Sequence, residues 1–494
     1  MKLHELSFKR KFSVNPYQTL SLPVSEMSLY RDWVNDRRGD PYPILACLGD
    51  IREEIADASY RISSLQGGEM TRLWGAFFPY YTYAITVCES EACDIGLRVC
   101  DGDGGRTLSV MLCDGARVEI RGGDTPAILP CEVGAGDVLI VIFRAGGVSV
   151  YLDRGNRPEL IGDVSLPLLD EYLSHAVYAS AIVGLTVRLR AGGSAVLRRI
   201  HSYLCGGLSH ADIKPMKYED GTPILEGGRL FLTVSSRLEV GCYQSVLSWN
   251  PTLCDFRMEG AIFYDVGDGR CCDDVAASVV YDRRAGEWYI WYCSFSHGHV
   301  LARGRLMGDP RFGIQIVDAD LLPLWDGTDR TAFAGIPGDE DPDLAFINGQ
   351  WHLTVCRNEP EDGYHYYHFV SDSPLDGFTY VDRTLTGGKT GGMMIPFEGQ
   401  YYFACGTDFK SRAKYDVYPY NDFSQRERLT CNYDDGGFRG WGTVIGVPIG
   451  SRRKYYWITF DRHNSSRHNW SYGNIYVYEA EEYFGQGKIM SNFQ

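Results

Sequence analysis

A frame that recurs along the second half of the chain constrains the fold most strongly. Residues 341–353 (DPDLAFINGQWHL) contain an acidic residue, a short apolar run, an Asn-Gly turn and a second apolar run. Asn-Gly between two apolar runs indicates a β-hairpin, because both turn positions need a positive φ. The frame recurs at residues 220–232, 275–290, 391–403 and 443–457. Starts roughly 50–66 residues apart are typical of the blades of a β-propeller.

We therefore predict an all-β protein with two domains. Residues 206–494 are predicted to form a five-bladed β-propeller, in which each frame supplies the two inner strands of a blade. Residues 1–205 contain many short strand patterns, such as 139–153 (LIVIFRAGGVSVYLD), and little helical periodicity. This pattern favours a jelly-roll-like β-sandwich. The sandwich could serve packing or oligomerisation, or it could be a carbohydrate-binding module.

Composition limits the function classes. The net charge of −16 argues against a nucleic-acid partner, which would need a basic face. No run of about 20 apolar residues is present, so no membrane span is predicted. The N-terminal residues lack the apolar run of a signal peptide, which favours a cytoplasmic location. The 15 cysteines include an adjacent pair, Cys271 and Cys272, without zinc-site spacing, and we expect reduced thiols.

Three of the frames are similar to motifs of a known enzyme group. Asp341, Pro342, Phe346 and Trp351 match a D-P-x-x-x-F…G-x-W pattern, and residues 371–378 (SDSPLDGF) resemble the outer strand that follows it. Residues 275–289 follow a W-A-P-x-V-I-Y-D pattern, and 220–232 a blade-one pattern that begins with Asp220. The chain thus resembles five-bladed glycoside hydrolases of family 43 and its relatives, families 32, 62, 117 and 130. The resemblance covers roughly 275 residues.

The resemblance implies hydrolysis of a glycosidic bond in a small oligosaccharide, with inversion. Such hydrolysis uses two carboxyl groups, one to protonate the leaving oxygen and one to activate water. By the resemblance, Asp220 is the candidate general base and Asp341 the residue that orients the acid and tunes its pKa. Asp212 is a rival for the blade-one position. Alternatives are a glycoside phosphorylase and a sugar-binding propeller without catalysis.

The sequence departs from family 43 at the place of the general acid, a glutamate. Thr390, Gly391 and Gly392 stand there, without a carboxylate. In a propeller, the loop after the second strand of each blade returns to the rim at which the first strand begins. Near this rim, Glu359 is the first choice for the general acid, followed by Glu340 or Asp274. His297 or His299 could donate the proton instead. Substrate binding is assigned to polar residues of these loops, namely Arg237, Asp274, His297, Arg357 and His463.

No metal ligands and no cofactor are predicted, although a structural calcium ion could occupy the centre of a propeller. The expected partners are an oligosaccharide substrate and, through the N-terminal sandwich, a second copy of the chain.

Overall fold

A computed structural model describes residues 1–14, 31–33, 43–56, 59–78, 80–155, 158–172, 174–326, 333–407, 414–420, 422–431, 440–449, 452–460 and 473–480. Strands dominate these residues. Two short helices, α1 (Leu168–Tyr172) and α2 (His175–Ser180), and two 3₁₀ turns, Leu3–Glu5 and Phe295–His297, complete the regular structure of the described ranges. The all-β prediction is confirmed. None of the described helices is long and apolar enough to cross a membrane.

The N-terminal part forms one connected sheet of 13 strands within the described residues. Its members are β2 (Arg31–Asp32), β3 (Ile44–Gly49), β4 (Arg52–Ala56), β5 (Ser59–Ser63), β6 (Gly68–Ala76), β7 (Tyr81–Cys100), β8 (Thr107–Cys113), β9 (Arg117–Arg121), β10 (Ala127–Pro130), β11 (Val138–Arg144), β12 (Gly147–Asp153), β13 (Pro158–Ser165) and β14 (Ile182–Leu204). The long strands β7 and β14 pair with each other along most of their length and carry the shorter strands. A jelly-roll-like sandwich for this part stays a prediction.

The remaining strands form antiparallel blades. Blade one contains β15 (Ser209–Pro215), β18 (Arg229–Arg237), β19 (Cys242–Asn250) and β20 (Asp255–Asp265), with the two-residue strands β16 (Lys217–Tyr218) and β17 (Leu225–Glu226) between β15 and β18. Blade two contains β21 (Val275–Asp282), β22 (Glu287–Ser294), β23 (Val300–Leu306) and β24 (Gly313–Leu321). Blade three contains β25 (Glu340–Ile347), β26 (Gln350–Glu359), β27 (Gly363–Ser371) and β28 (Thr379–Arg383). The outermost strands of blades one and two, β20 and β24, pair in parallel.

Blade four contains β29 (Lys389–Phe397), β30 (Gln400–Thr407), β31 (Lys414–Pro419) and β32 (Glu427–Arg428). Blade five contains β34 (Gly440–Ile449), β35 (Arg452–Phe460), β36 (Ile475–Ala480), the N-terminal strand β1 (Ser7–Val14) and the short β33 (Thr430–Cys431). The inner strands β15, β21, β25, β29 and β34 each contact the next, and β34 contacts β15, so the ring is closed. The predicted five-bladed propeller is thus observed.

The N-terminal strand lies in the last blade. β1 pairs antiparallel with β36, from Phe8 opposite Ala480 to Val14 opposite Ile475. Leu3, Leu6 and Phe8 are buried in the apolar cluster between blades four and five. The division of the chain between residues 205 and 206 stays a prediction. β1 precedes that division in the sequence, yet it pairs with β36 in blade five.

Apolar clusters lie between consecutive blades, as ring packing requires. One cluster joins blades one and two, a second joins blades two and three, and a third joins blades three and four. A larger cluster packs the N-terminal sheet against blades one and five. Asp343 holds the centre: its carboxylate accepts hydrogen bonds from Lys217 (2.6 Å), from Ser278 of blade two (3.1 Å) and from the backbone of Met394 in blade four (2.8 Å). Lys217 also donates to the second oxygen (2.8 Å), so each oxygen of the Asp343 carboxylate accepts two hydrogen bonds. These bonds offset the cost of burying the ion pair of Asp343 and Lys217.

Candidate active site in the propeller funnel

Each inner strand carries an irregularity at the same place near its first residue. The register of the inner pair shifts between Ala211 and Lys214, Val275 and Ser278, Glu340 and Asp343, Thr390 and Met393, and Gly440 and Thr443. Two residues lie inside each shift, and the first of them has a positive φ in blades one to four: Asp212 (49°), Ala276 (62°), Asp341 (47°) and Gly391 (58°). Such backbone is unfavourable for a residue with a side chain, and strained positions are concentrated at functional sites.

Asp212 and Asp341 occupy this equivalent position in blades one and three. Their exposed fractions are 9% and 5%. Burial first, and then the charge of Asp341, raise the pKa of Asp212 to about 7, against a hydrogen bond from Ser235 that lowers it. Asp341 Oδ2 accepts hydrogen bonds from Thr390 Oγ1 (2.8 Å) and from the Gly391 backbone (2.9 Å). These donors hold the Asp341 carboxylate in place, and its charge favours the protonated form of Asp212.

Glu340 is the third carboxyl group of this cluster. Its charge also raises the pKa of Asp212. Glu340 Oε1 accepts a hydrogen bond from the Tyr364 hydroxyl (3.0 Å) and lies 2.8 Å from Nε2 of His299. His299 itself has a positive φ of 59° and packs against the ring of Phe295. Asp212, Asp341, Glu340 and His299 form what we call the funnel cluster.

The structure corrects the predicted position of Asp220. The inner strand of blade one is β15, whereas Asp220 lies in the turn that follows β16. Its carboxylate accepts hydrogen bonds from Thr222 and from Arg283 (2.7 Å). Arg283 belongs to the turn between β21 and β22, at the opposite end of β21 from Ala276. Asp220 therefore lies at the opposite end of the propeller from Asp341. The blade-one carboxylate at the same end as Asp341 is that of the rival candidate, Asp212.

Glu359, the first choice for the general acid, ends β26 at the correct rim but contacts the outer strands. It accepts a hydrogen bond from the Tyr367 hydroxyl and forms an ion pair with Arg383 (2.9 Å). Both partners belong to β27 and β28, away from the inner strands. Glu340, one of the alternatives, is close enough to Asp212 for its charge to raise the pKa of that carboxyl group.

The predicted binding residues have different surroundings. Asp274 is buried just before β21 and accepts hydrogen bonds from Ser294 Oγ (2.7 Å) and from both the backbone and the hydroxyl of Ser296 (2.9 Å each). Burial raises its pKa, against these hydrogen bonds. His297 Nδ1 lies 2.9 Å from Ser294 Oγ, so Asp274, Ser294 and His297 form a relay.

The two predicted binding arginines lie at the same rim. Arg357 is bound to the buried Asp339 and to the Ala334 carbonyl (2.7 Å), and it stacks on Phe333. Arg237 ends β18 and pairs in register with Ser209 at the start of β15. His463 lies outside the described residues.

Comparisons with known proteins were made with the whole chain. No family model matches it, and no curated protein is similar to it at a significant level. Solved structures similar to it include a thermostable family 43 glycoside hydrolase, with 15% identity, 58% of this chain and 96% of that chain covered, and a TM-score of 0.38. A family 117 glycoside hydrolase from the marine bacterium Zobellia galactanivorans shows 13% identity over 55% and 84% of the chains, with a TM-score of 0.39.

An exo-β-1,3-galactanase from Clostridium thermocellum shows 15% identity over 55% and 63% of the chains, with a TM-score of 0.40. Families 43 and 117, which the motifs resemble, are thus among the similar structures.

Proposed function

We propose that this protein is a glycoside hydrolase that cleaves a bond in a short oligosaccharide at the funnel cluster. The observation that carries the proposal is the pair Asp212 and Asp341, which occupy equivalent strained positions on the inner strands of blades one and three. Burial and the neighbouring charge raise the pKa of Asp212 to about 7. A carboxyl group that titrates near neutrality can donate or accept a proton in a transition state, whereas an exposed aspartate cannot do so efficiently.

We assign a role to each of the three carboxyl groups. Asp212 holds a proton and donates it to the glycosidic oxygen as the bond to the anomeric carbon breaks. Glu340 takes a proton from the water that attacks the anomeric carbon from the opposite face, which inverts its configuration. Hydrogen bonds from Thr390 and Gly391 hold Asp341 in place, and its charge helps to raise the pKa of Asp212, which keeps a proton there. Thr390, Gly391 and Gly392 stand where the family 43 pattern carries a glutamate, so the proposed proton donor belongs to another strand.

A panel of aryl glycosides and short oligosaccharides tests the proposal, assayed with and without phosphate. We expect hydrolysis of at least one sugar class without phosphate, with inverted anomeric configuration by NMR. Asp212→Asn, Asp341→Asn and Glu340→Gln should each lower kcat by about 100-fold or more. The matched controls Asp220→Asn and Glu359→Gln remove carboxylates outside the funnel cluster and should retain activity.

Leaving-group dependence separates the two proton-transfer roles. A glycoside with a dinitrophenyl leaving group needs little protonation, so Asp212→Asn should cleave it much faster than it cleaves an oligosaccharide. Glu340→Gln should be impaired on both. Full activity in Asp212→Asn on an oligosaccharide would remove the proposed acid, and strict dependence on phosphate would indicate a phosphorylase instead.

A further inference from the structure

We infer that Asp268, Cys272 and His297 form a binding site for a divalent transition-metal ion, of which Zn²⁺ fits best. In the described part of the chain, one ligand atom from each of these three residues lies within 4.8 Å of the other two. His297 Nε2 lies 3.2 Å from Asp268 Oδ2. Two ligands of a tetrahedral zinc ion, each about 2.0–2.1 Å from the metal, are about 3.3 Å apart. The pair therefore has the spacing of two ligands of one ion.

The hydrogen-bond relay behind His297 indicates which of its nitrogens is free. The Ser294 hydroxyl donates its proton to Asp274 Oδ2 (2.7 Å), and Ser296 donates twice to the other oxygen of that carboxylate. Ser294 Oγ can then only accept from His297 Nδ1, at 2.9 Å. In the neutral imidazole, Nε2 consequently carries the lone pair and faces a carboxylate oxygen. Both atoms are of types that bind metal ions, and their spacing suits one ion between them.

Cys272 supplies the third candidate ligand. Without a metal, burial raises the pKa of its thiol to about 12, so a bound ion would have to displace the thiol proton. The resulting thiolate sulfur, an imidazole nitrogen and a carboxylate oxygen form a ligand set that suits Zn²⁺ and disfavours Ca²⁺ and Mg²⁺, which prefer oxygen. Three protein ligands leave one tetrahedral position for water or for a substrate atom. The relay from Asp274 through Ser294 is the kind of outer-shell support that orients a metal-binding histidine.

The backbone holds the three residues in place. Cys272 exchanges two backbone hydrogen bonds with Tyr264 (2.7 and 3.0 Å). The Arg270 backbone donates to Asp268 Oδ1 (3.0 Å), so the other oxygen faces His297. Asp268 is exposed, whereas Cys272 is buried. The site adjoins the buried Asp274 at the start of blade two, at the rim that carries the funnel cluster.

Cobalt titration of the full-length chain, after dialysis against a chelator, tests the inference. Co²⁺ reports a tetrahedral site with visible bands and a bound thiolate with a charge-transfer band in the near ultraviolet. We expect one such Co²⁺ per chain, displaced by Zn²⁺. Cys272→Ser should lose the charge-transfer band, and His297→Ala should lower Co²⁺ affinity about 100-fold.

Two further variants keep the test decisive if a core substitution impairs folding. Asp268→Asn alters an exposed residue and should weaken Co²⁺ binding at least about 10-fold, as should Ser294→Ala through the relay. Cys271→Ser is the matched control, because it removes the adjacent buried thiol and should leave the spectrum unchanged. Absence of a charge-transfer band in the wild type, or equal loss in Cys271→Ser and Cys272→Ser, would overturn the site and leave a protonated His297 hydrogen-bonded to Asp268.

Discussion

Replacing Asp212 by asparagine should change how stability depends on pH. The pKa of Asp212 is raised from 3.8 to about 7, by burial first and then by the charge of Asp341. The unfolded chain releases this proton near pH 3.8, whereas the folded chain retains it up to about pH 7. The stabilising contribution of Asp212 is therefore fully present below the unfolded pKa and is lost as the pH rises towards the folded one.

The size of the effect follows from the same two pKa values. Between about pH 5 and about pH 8, linkage reduces the unfolding free energy of the wild type by about 2.5 kcal/mol through Asp212 alone. Asparagine at this position cannot ionise, so its unfolding free energy lacks this decrease. The advantage of Asp212→Asn over the wild type should consequently grow by about 2.5 kcal/mol over that pH interval.

Urea unfolding of the wild type and the variant at both pH values, followed by the fluorescence of the ten tryptophans, measures this difference. Asp220→Asn is the control. Hydrogen bonds from Thr222 and Arg283 outweigh burial and lower the pKa of Asp220, so it is ionised in both states throughout the interval. Its difference from the wild type should not change with pH. A constant difference for Asp212→Asn as well would refute the argument that the funnel holds a proton near neutrality.

Three other expectations can be checked directly. Asp341→Asn removes the charge that helps to raise the pKa of Asp212, so the alkaline limb of the activity profile should move to lower pH, and an unmoved limb would separate the two residues. Asp343→Ala leaves the ammonium of Lys217 buried without its partner and should cost about 3–5 kcal/mol in urea unfolding, whereas a loss below about 1 kcal/mol would contradict the central ion pair. Deletion of residues 1–14 removes the strand that pairs with Ile475–Ala480 and three buried apolar side chains, which should lower stability by about 5 kcal/mol. A deletion variant with unchanged melting would show that blade five does not depend on β1.

The repeat of the hairpin frames predicted the all-β propeller because a hairpin is a local structure. The Asn-Gly turn at residues 348–349 and the alternating apolar residues around it act over a few neighbouring residues, and five such units can pack in only a few ways. Asp341 was identified from the same local pattern. Its neighbour Glu340 was an alternative for the general acid, and the sequence offered no reason to prefer it to Glu359.

Tertiary structure decided which carboxylates meet. Asp212 and Asp220 both precede apolar residues in blade one, and only the pairing of Ser209–Pro215 with β18 shows that Asp212 lies on the inner strand. The raised pKa of Asp212 depends on Asp341, which is 129 residues away in the chain, and no local pattern encodes that distance. No local pattern shows which strand pairs with β1 either. The strand pattern of β1 is visible in the sequence, but its partner β36 (Ile475–Ala480) is far away in the chain. Local propensity thus determined the hairpins, whereas ring closure, which brings distant strands together, determined the site.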